Sequence, residues 1–177
     1  MKCIDFVRLG SALCLISVPA TVAGAQAVSD PAPIVSAFNE TCRRGFPDLA
    51  TIRQRAESLG WDPLLSAQLV GPLSDPRLGS SDIPELLFKD DMTLILTPPN
   101  RIWSRFACTI SVPAGRTLDT AGLAKAVSAA LGGAQASVAM VEGVERATWH
   151  LESGLAVKAS VGKSGDMRRA HLTVLTV

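Results

Sequence analysis

Residues 147–161 read ATWHLESGLAVKASV, and they set the architecture. Ala147, Trp149 and Leu151 alternate with Thr148, His150 and Glu152. Leu155, Val157, Ala159 and Val161 then alternate with Ala156, Lys158 and Ser160. Each run has a period of two, so each is a strand with one apolar and one mostly polar face. Glu152-Ser153-Gly154 lies between them. A three-residue loop sets Leu151 opposite Leu155 and Trp149 opposite Val157. A two-residue loop would set His150 opposite Val157 and mix the faces. The spacing therefore selects the three-residue loop, with Gly154 in the left-handed position. An antiparallel sheet with a single greasy face needs helices on that face.

Both flanks supply the rest of such a fold. On the C-terminal side a turn over residues 162–166 leads to a last strand at residues 169–177. On the N-terminal side residues 137–141 read as a further strand. Before it, Asp119 or Thr117 caps a helix bearing Leu123, Ala126, Val127, Ala130 and Leu131, which Gly132-Gly133 ends. Met92-Thr93-Leu94-Ile95-Leu96-Thr97 is a strand stopped by Pro98-Pro99-Asn100. Another spans 102–112, with Phe106, Cys108, Ile110 and Val112 on one face and Arg105, Thr109 and Ser111 on the other.

The N-terminal part is helical. Ile34, Val35, Phe38 and Cys42 lie on one helix face, and Gly45-Phe46-Pro47 breaks the run. Asp48 then caps a second helix carrying Leu49, Ile52, Ala56 and Leu59. Gly60 fits the left-handed position after its end, and Trp61 folds back on Ala56 as a Schellman stop. Residues 62–90 are punctuated by Pro63, Pro72, Pro76 and Pro84, and read as a long irregular connection with a helical turn at 84–88. The expected class is α+β: an antiparallel sheet of about five strands, with the N-terminal helices and one inserted helix on one face. Residues 28–177 form one domain.

The first 27 residues read as a signal peptide. Lys2 and Arg8 start it, an apolar run spans 9–18, and Ala25-Gln26-Ala27 offers a small-residue cleavage site. The apolar run is too short to span a bilayer, which takes about 20 residues. Cleavage after Ala27 leaves 150 residues with 15 basic and 15 acidic side chains. A neutral chain gives no electrostatic footprint for nucleic acid, and no later segment suits stable membrane insertion. The expected location is the periplasm or the medium. Cleavage also removes Cys3 and Cys14, leaving Cys42 and Cys108. Two cysteines in an oxidising compartment pair as one disulfide, and here both lie on apolar faces. The chain-entropy model gives a loop of that length about 4 kcal/mol.

Motifs for chemistry are few. Gly162-Lys163-Ser164 lacks the earlier glycine of a P-loop, since Val157 holds that place, and reads as a solvated hairpin turn. Asp90-Asp91 reads as charged flanking, and Arg43-Arg44 and Arg168-Arg169 as solubilising charge. No G-x-S-x-G, H-E-x-x-H or zinc-type cysteine cluster is present. The weak catalytic candidates are His150 and Glu152, two apart on the outer sheet face, with His171 on the next strand but one. No cofactor and no metal ligand set is expected.

Phe38 with Cys42, Pro47-Asp48, Gly60-Trp61 and the strand cysteine Cys108 together resemble a loose group of small exported proteins of Gram-negative bacteria with no assigned activity. That resemblance implies export and a Cys42–Cys108 pair, and no catalytic residues. Two functions are expected in order. The first is a non-catalytic periplasmic protein that binds an envelope protein or a small ligand. The second is a small periplasmic hydrolase using His150 or His171 with a carboxylate.

Overall fold

A computed structural model describes residues 27–64, 84–99 and 105–177 of the chain. The signal-peptide reading of residues 1–26, the middle of the 62–90 connection and the start of the strand at 102–104 lie outside the described residues.

Helix α1 (Ala32–Phe38) runs into a π-helical turn (Asn39–Arg43), and α2 (Leu49–Ser58) follows. The strands are β1 (Asp62–Pro63), β2 (Glu85–Lys89), β3 (Met92–Thr97) and β4 (Ala107–Pro113). Helix α3 (Thr120–Ala130) precedes β5 (Ser137–Val141), β6 (Val144–Leu151), β7 (Leu155–Ser164) and β8 (Met167–Thr176). One antiparallel sheet holds all eight strands in the order β1-β2-β3-β4-β8-β7-β6-β5. The class is α+β as expected, but the sheet has eight strands, not about five. It comprises two four-stranded meanders, each preceded by helix, that meet where β4 pairs β8.

The hairpin that opened the sequence reading is formed in the expected register. Leu151 pairs Leu155 and Trp149 pairs Val157, and Gly154 takes φ +71°. That register propagates across the sheet. Leu87, Leu94, Ile110, Leu172, Ala159 and Ala147 are successive Cα partners from β2 to β6. All six are at most 1% exposed. Helices α1 and α3 cover this face, with α1 against β4 and β8 and α3 against β6 and β7. Trp149 is the largest buried side chain, and its Nε1 donates to Ser128 Oγ at 3.1 Å and Ala134 O at 3.3 Å.

The helix ends behave as the sequence asks. Asp48 accepts from Ala50 N at 3.0 Å and Thr51 Oγ1 at 2.6 Å, and those bonds hold its carboxyl below the ordinary range. Asp119, not Thr117, caps α3 through Gly122 N at 2.7 Å. At the end of α2, Trp61 N reaches Ala56 O and Gly60 N reaches Glu57 O, each at 3.0 Å, with Gly60 at φ +80°. Those are the two bonds of a Schellman stop. Cys42 and Cys108 are fully buried and bonded, with Cα atoms 5.7 Å apart. The bridge ties the π-helical turn to the start of β4.

Three local readings need correction. Residues 84–88 hold no helical turn: Glu85–Lys89 is strand β2, paired with β3, because Leu87 fills a core position between Leu94 and β1. Asp90-Asp91 is the two-residue turn of that hairpin. The turn assigned to 162–166 is shorter, since Gly162 and Lys163 continue β7 opposite Arg169 and Arg168, leaving Gly165-Asp166 as the loop. Three arginines read as solubilising charge have structural partners. Arg43 caps the carbonyl of Ala130 at 3.0 Å, Arg168 donates to Gly115 O, and Arg169 bonds Ser111.

Candidate functional site

The pleat that buries Leu94, Ile110, Leu172 and Ala159 sends their neighbours to the opposite side of the sheet. No described helix packs there. Two ladder rows define this open face. One runs Phe88, Thr93, Ser111, His171, Ser160, Arg146 and Ala139. The next runs Leu86, Ile95, Thr109, Thr173, Lys158, Thr148 and Ser137. Hydroxyls dominate the two rows over β4, β8, β7 and β6, with Lys158 and Arg146 among them, and Thr109 and Thr173 share a hydrogen bond of 2.9 Å.

The face is cationic. Arg146 on β6, Lys158 on β7 and Arg169 on β8 project from it, with Arg105 close enough to act on Lys158. The strand carboxylate on this face is Asp62, which pairs Phe88 on the edge strand β1, four strands from β8, and none lies on β6, β7 or β8 beside the cations. Arg169 lies across its neighbours. Its Nε donates to Ser111 Oγ at 2.7 Å, and its Nη2 donates to Thr93 Oγ1 and Ser111 O at 3.3 Å each. These acceptors are neutral, so the guanidinium is held in place without being neutralised. Burial, then the charges of Arg146 and Arg105, lower the Lys158 pKa from its ordinary 10.5. Burial, then Arg169, lower the His171 pKa from its ordinary 6.5. His171 is therefore neutral at pH 7, and the fixed charge comes from arginines and Lys158.

Of the candidates from the sequence, His150 and His171 lie on this face, but not in one place on it. His171 sits between Ser111 and Ser160, in the row of Arg146. His150 pairs Ala156, four residues beyond Arg146 on β6. The two imidazoles are thus separated by about 13 Å along the strands and about 10 Å across them. Glu152 lies in the β6–β7 turn, beyond the strand. No hydrogen bond joins His171 to Ser160, so no activated nucleophile is formed there. No group of three or more His, Cys, Asp or Glu side chains that could hold a metal occurs among the described residues. Reading single motifs missed the cationic cluster, because Arg146, Lys158 and Arg169 belong to three strands. Its signal was the parity of those residues against Ala147, Ala159 and Ala170, once the register was fixed.

The site thus belongs to an antiparallel α+β protein with one side covered by helix and the other presenting fixed cations and hydroxyls. No family model, curated protein or solved structure matches the chain. No helix among the described residues is long and apolar enough to cross a membrane.

Proposed function

We propose that the protein is an exported, non-catalytic periplasmic binding protein whose open sheet face engages an acidic segment of an envelope protein. The observation that carries this reading is the set Arg146, Lys158 and Arg169 on three adjacent strands with no strand carboxylate beside them. The chain as a whole is close to charge-balanced, with 17 basic and 16 acidic residues. A one-signed cluster at one end of the face of such a chain is a local arrangement, and clustered charge steers and orients an oppositely charged partner. Hydroxyls between the cations add neutral donors and acceptors. Export rests on the tripartite N-terminus, and it favours protein or envelope polymer over nucleic acid as the anionic partner. The buried Cys42–Cys108 bond suits the same compartment.

The test uses poly-L-glutamate as the probe. Binding of the disulfide-bonded protein should weaken as salt rises, because exposed charges are screened beyond about 10 Å at 0.1 M. Arg146→Glu with Lys158→Glu should abolish it while leaving the fold intact by circular dichroism. Unchanged binding in that variant, or binding indifferent to salt, would overturn the reading.

The hydrolase reading gains nothing comparable. It needs a carboxylate beside a histidine, and His171 is flanked in its row by Ser111 and Ser160 and perturbed by Arg169.

A further inference from the structure

On the helix side of the sheet, far from the cationic rows, a cleft of about 220 Å³ opens between the π-helical turn, the end of α2 and the β2–β3 hairpin. Ser36, Glu40, Thr41, Trp61, Lys89 and Met92 are among the residues that line it. At about 30 Å³ for each water in the liquid, the space holds roughly seven waters. A small organic ligand fits the same volume, because bonded atoms crowd closer than waters do.

Three features of the lining are unusual together. Thr41 is fully buried, and its Oγ1 has no hydrogen-bond partner among the described residues. A threonine in an α-helix can return its hydroxyl to the carbonyl one turn back. Thr41 lies instead within the π-helical turn, a feature often found at functional sites. Buried hydroxyls are nearly always bonded, so this one is conspicuous. The second feature is Lys89. Its Nζ donates to Leu59 O at 2.7 Å, which uses one of three donors and none of its charge. The third is Glu40 on the helix wall, whose side chain accepts, among the described residues, only from Ser36 Oγ, at 3.3 Å. Glu40 and Lys89 line one cleft and do not pair with each other; Arg53–Glu85 is the ion pair among the described residues. Trp61 and Met92 supply apolar wall beside these groups.

We propose that this cleft binds a small zwitterion of the α-amino-acid type. The carboxylate meets the Lys89 ammonium and the Thr41 hydroxyl, the ammonium meets Glu40, and the side chain lies against Trp61 and Met92. A ligand with both charges satisfies both walls at once, whereas a simple anion leaves Glu40 facing like charge. This does not rest on the open-face reading, since the cleft lies across the sheet from Arg146, Lys158 and Arg169.

The experiment is an amide-resonance titration of the full disulfide-bonded chain with L-alanine, L-leucine and L-phenylalanine. N-acetyl-L-leucine and L-leucinamide, each lacking one charge, are titrated in parallel. At least one free amino acid should shift Ser36, Thr41, Lys89 and the Trp61 indole saturably. Each blocked compound should bind about tenfold or more weakly than leucine, as expected for loss of a charged hydrogen bond. Lys89→Met should weaken leucine without changing L-leucinamide. Thr41→Val should weaken leucine while leaving the unliganded fold at least as stable, which keeps the test readable if Lys89→Met fails to fold. No saturable shift from any of the three amino acids, or equal binding of free and blocked leucine, would overturn the proposal and leave Thr41 as a site for ordered water only.

Discussion

His150 and Trp149 are adjacent in sequence and differ completely in consequence. Trp149 is 1% exposed and hydrogen-bonded beneath α3, whereas His150 points outward from the open face. Trp149→Ala should cost about 3–5 kcal/mol, and His150→Ala no more than about 0.5 kcal/mol. Urea unfolding of the two variants measures both. Equal costs would mean that the pleat has been assigned backwards. His171 offers a second test through pH. Burial and Arg169 hold its folded pKa below 6.5, so the unfolded chain binds the proton more readily. The native state is therefore favoured fully above about pH 6.5, and stability falls as pH drops through 6.5 towards the lower folded value. His171→Gln should flatten the fall of the urea midpoint as pH drops below about 6.5. A midpoint slope identical to that of the parent would show that His171 titrates freely.

Among the elements, the β6–β7 hairpin and the α2 stop were legible because each rests on local chemistry. Gly154 and Gly60 both take positive φ, and the apolar residues around them leave one consistent register. Gly154→Val should destabilise through backbone strain, whereas Val138→Lys on the edge strand β5 should stay within about 0.5 kcal/mol, since Val138 is 57% exposed. Thermal melts of both variants separate the cases. Strand β2 was not legible. Glu85-Leu86-Leu87-Phe88-Lys89 has no clean alternation, and only Leu87 of its three apolar residues is buried. Its strand identity comes from pairing with β3, a tertiary effect that overrides local pattern. The π-helical turn was equally hidden. Thr41 and Cys42 are both fully buried, but the apolar pattern marks only Cys42 as facing the core. The candidate face was half visible. Alternation exposed its polar character, but strand order was needed to bring Arg146, Lys158 and Arg169 together.

For the whole molecule, the two sides of the sheet have different tasks. The helix side holds the core and is tied by the Cys42–Cys108 bridge between the π-helical turn and β4. Cys42→Ser should lower stability by about 2–5 kcal/mol, and the double serine variant should match it, because either removes the same link. Denaturation of both with and without reductant checks this, and a parent indifferent to reductant would contradict it. The open side is left to Arg146, Lys158 and Arg169. The most direct measurement of that division is amide-resonance mapping of the full chain with poly-L-glutamate. The shifts should gather on Thr109, Arg146, Lys158, Ser160 and Thr173 and spare Val35, Ile52 and Leu123. Shifts centred on the helix side, or spread evenly over both, would contradict it.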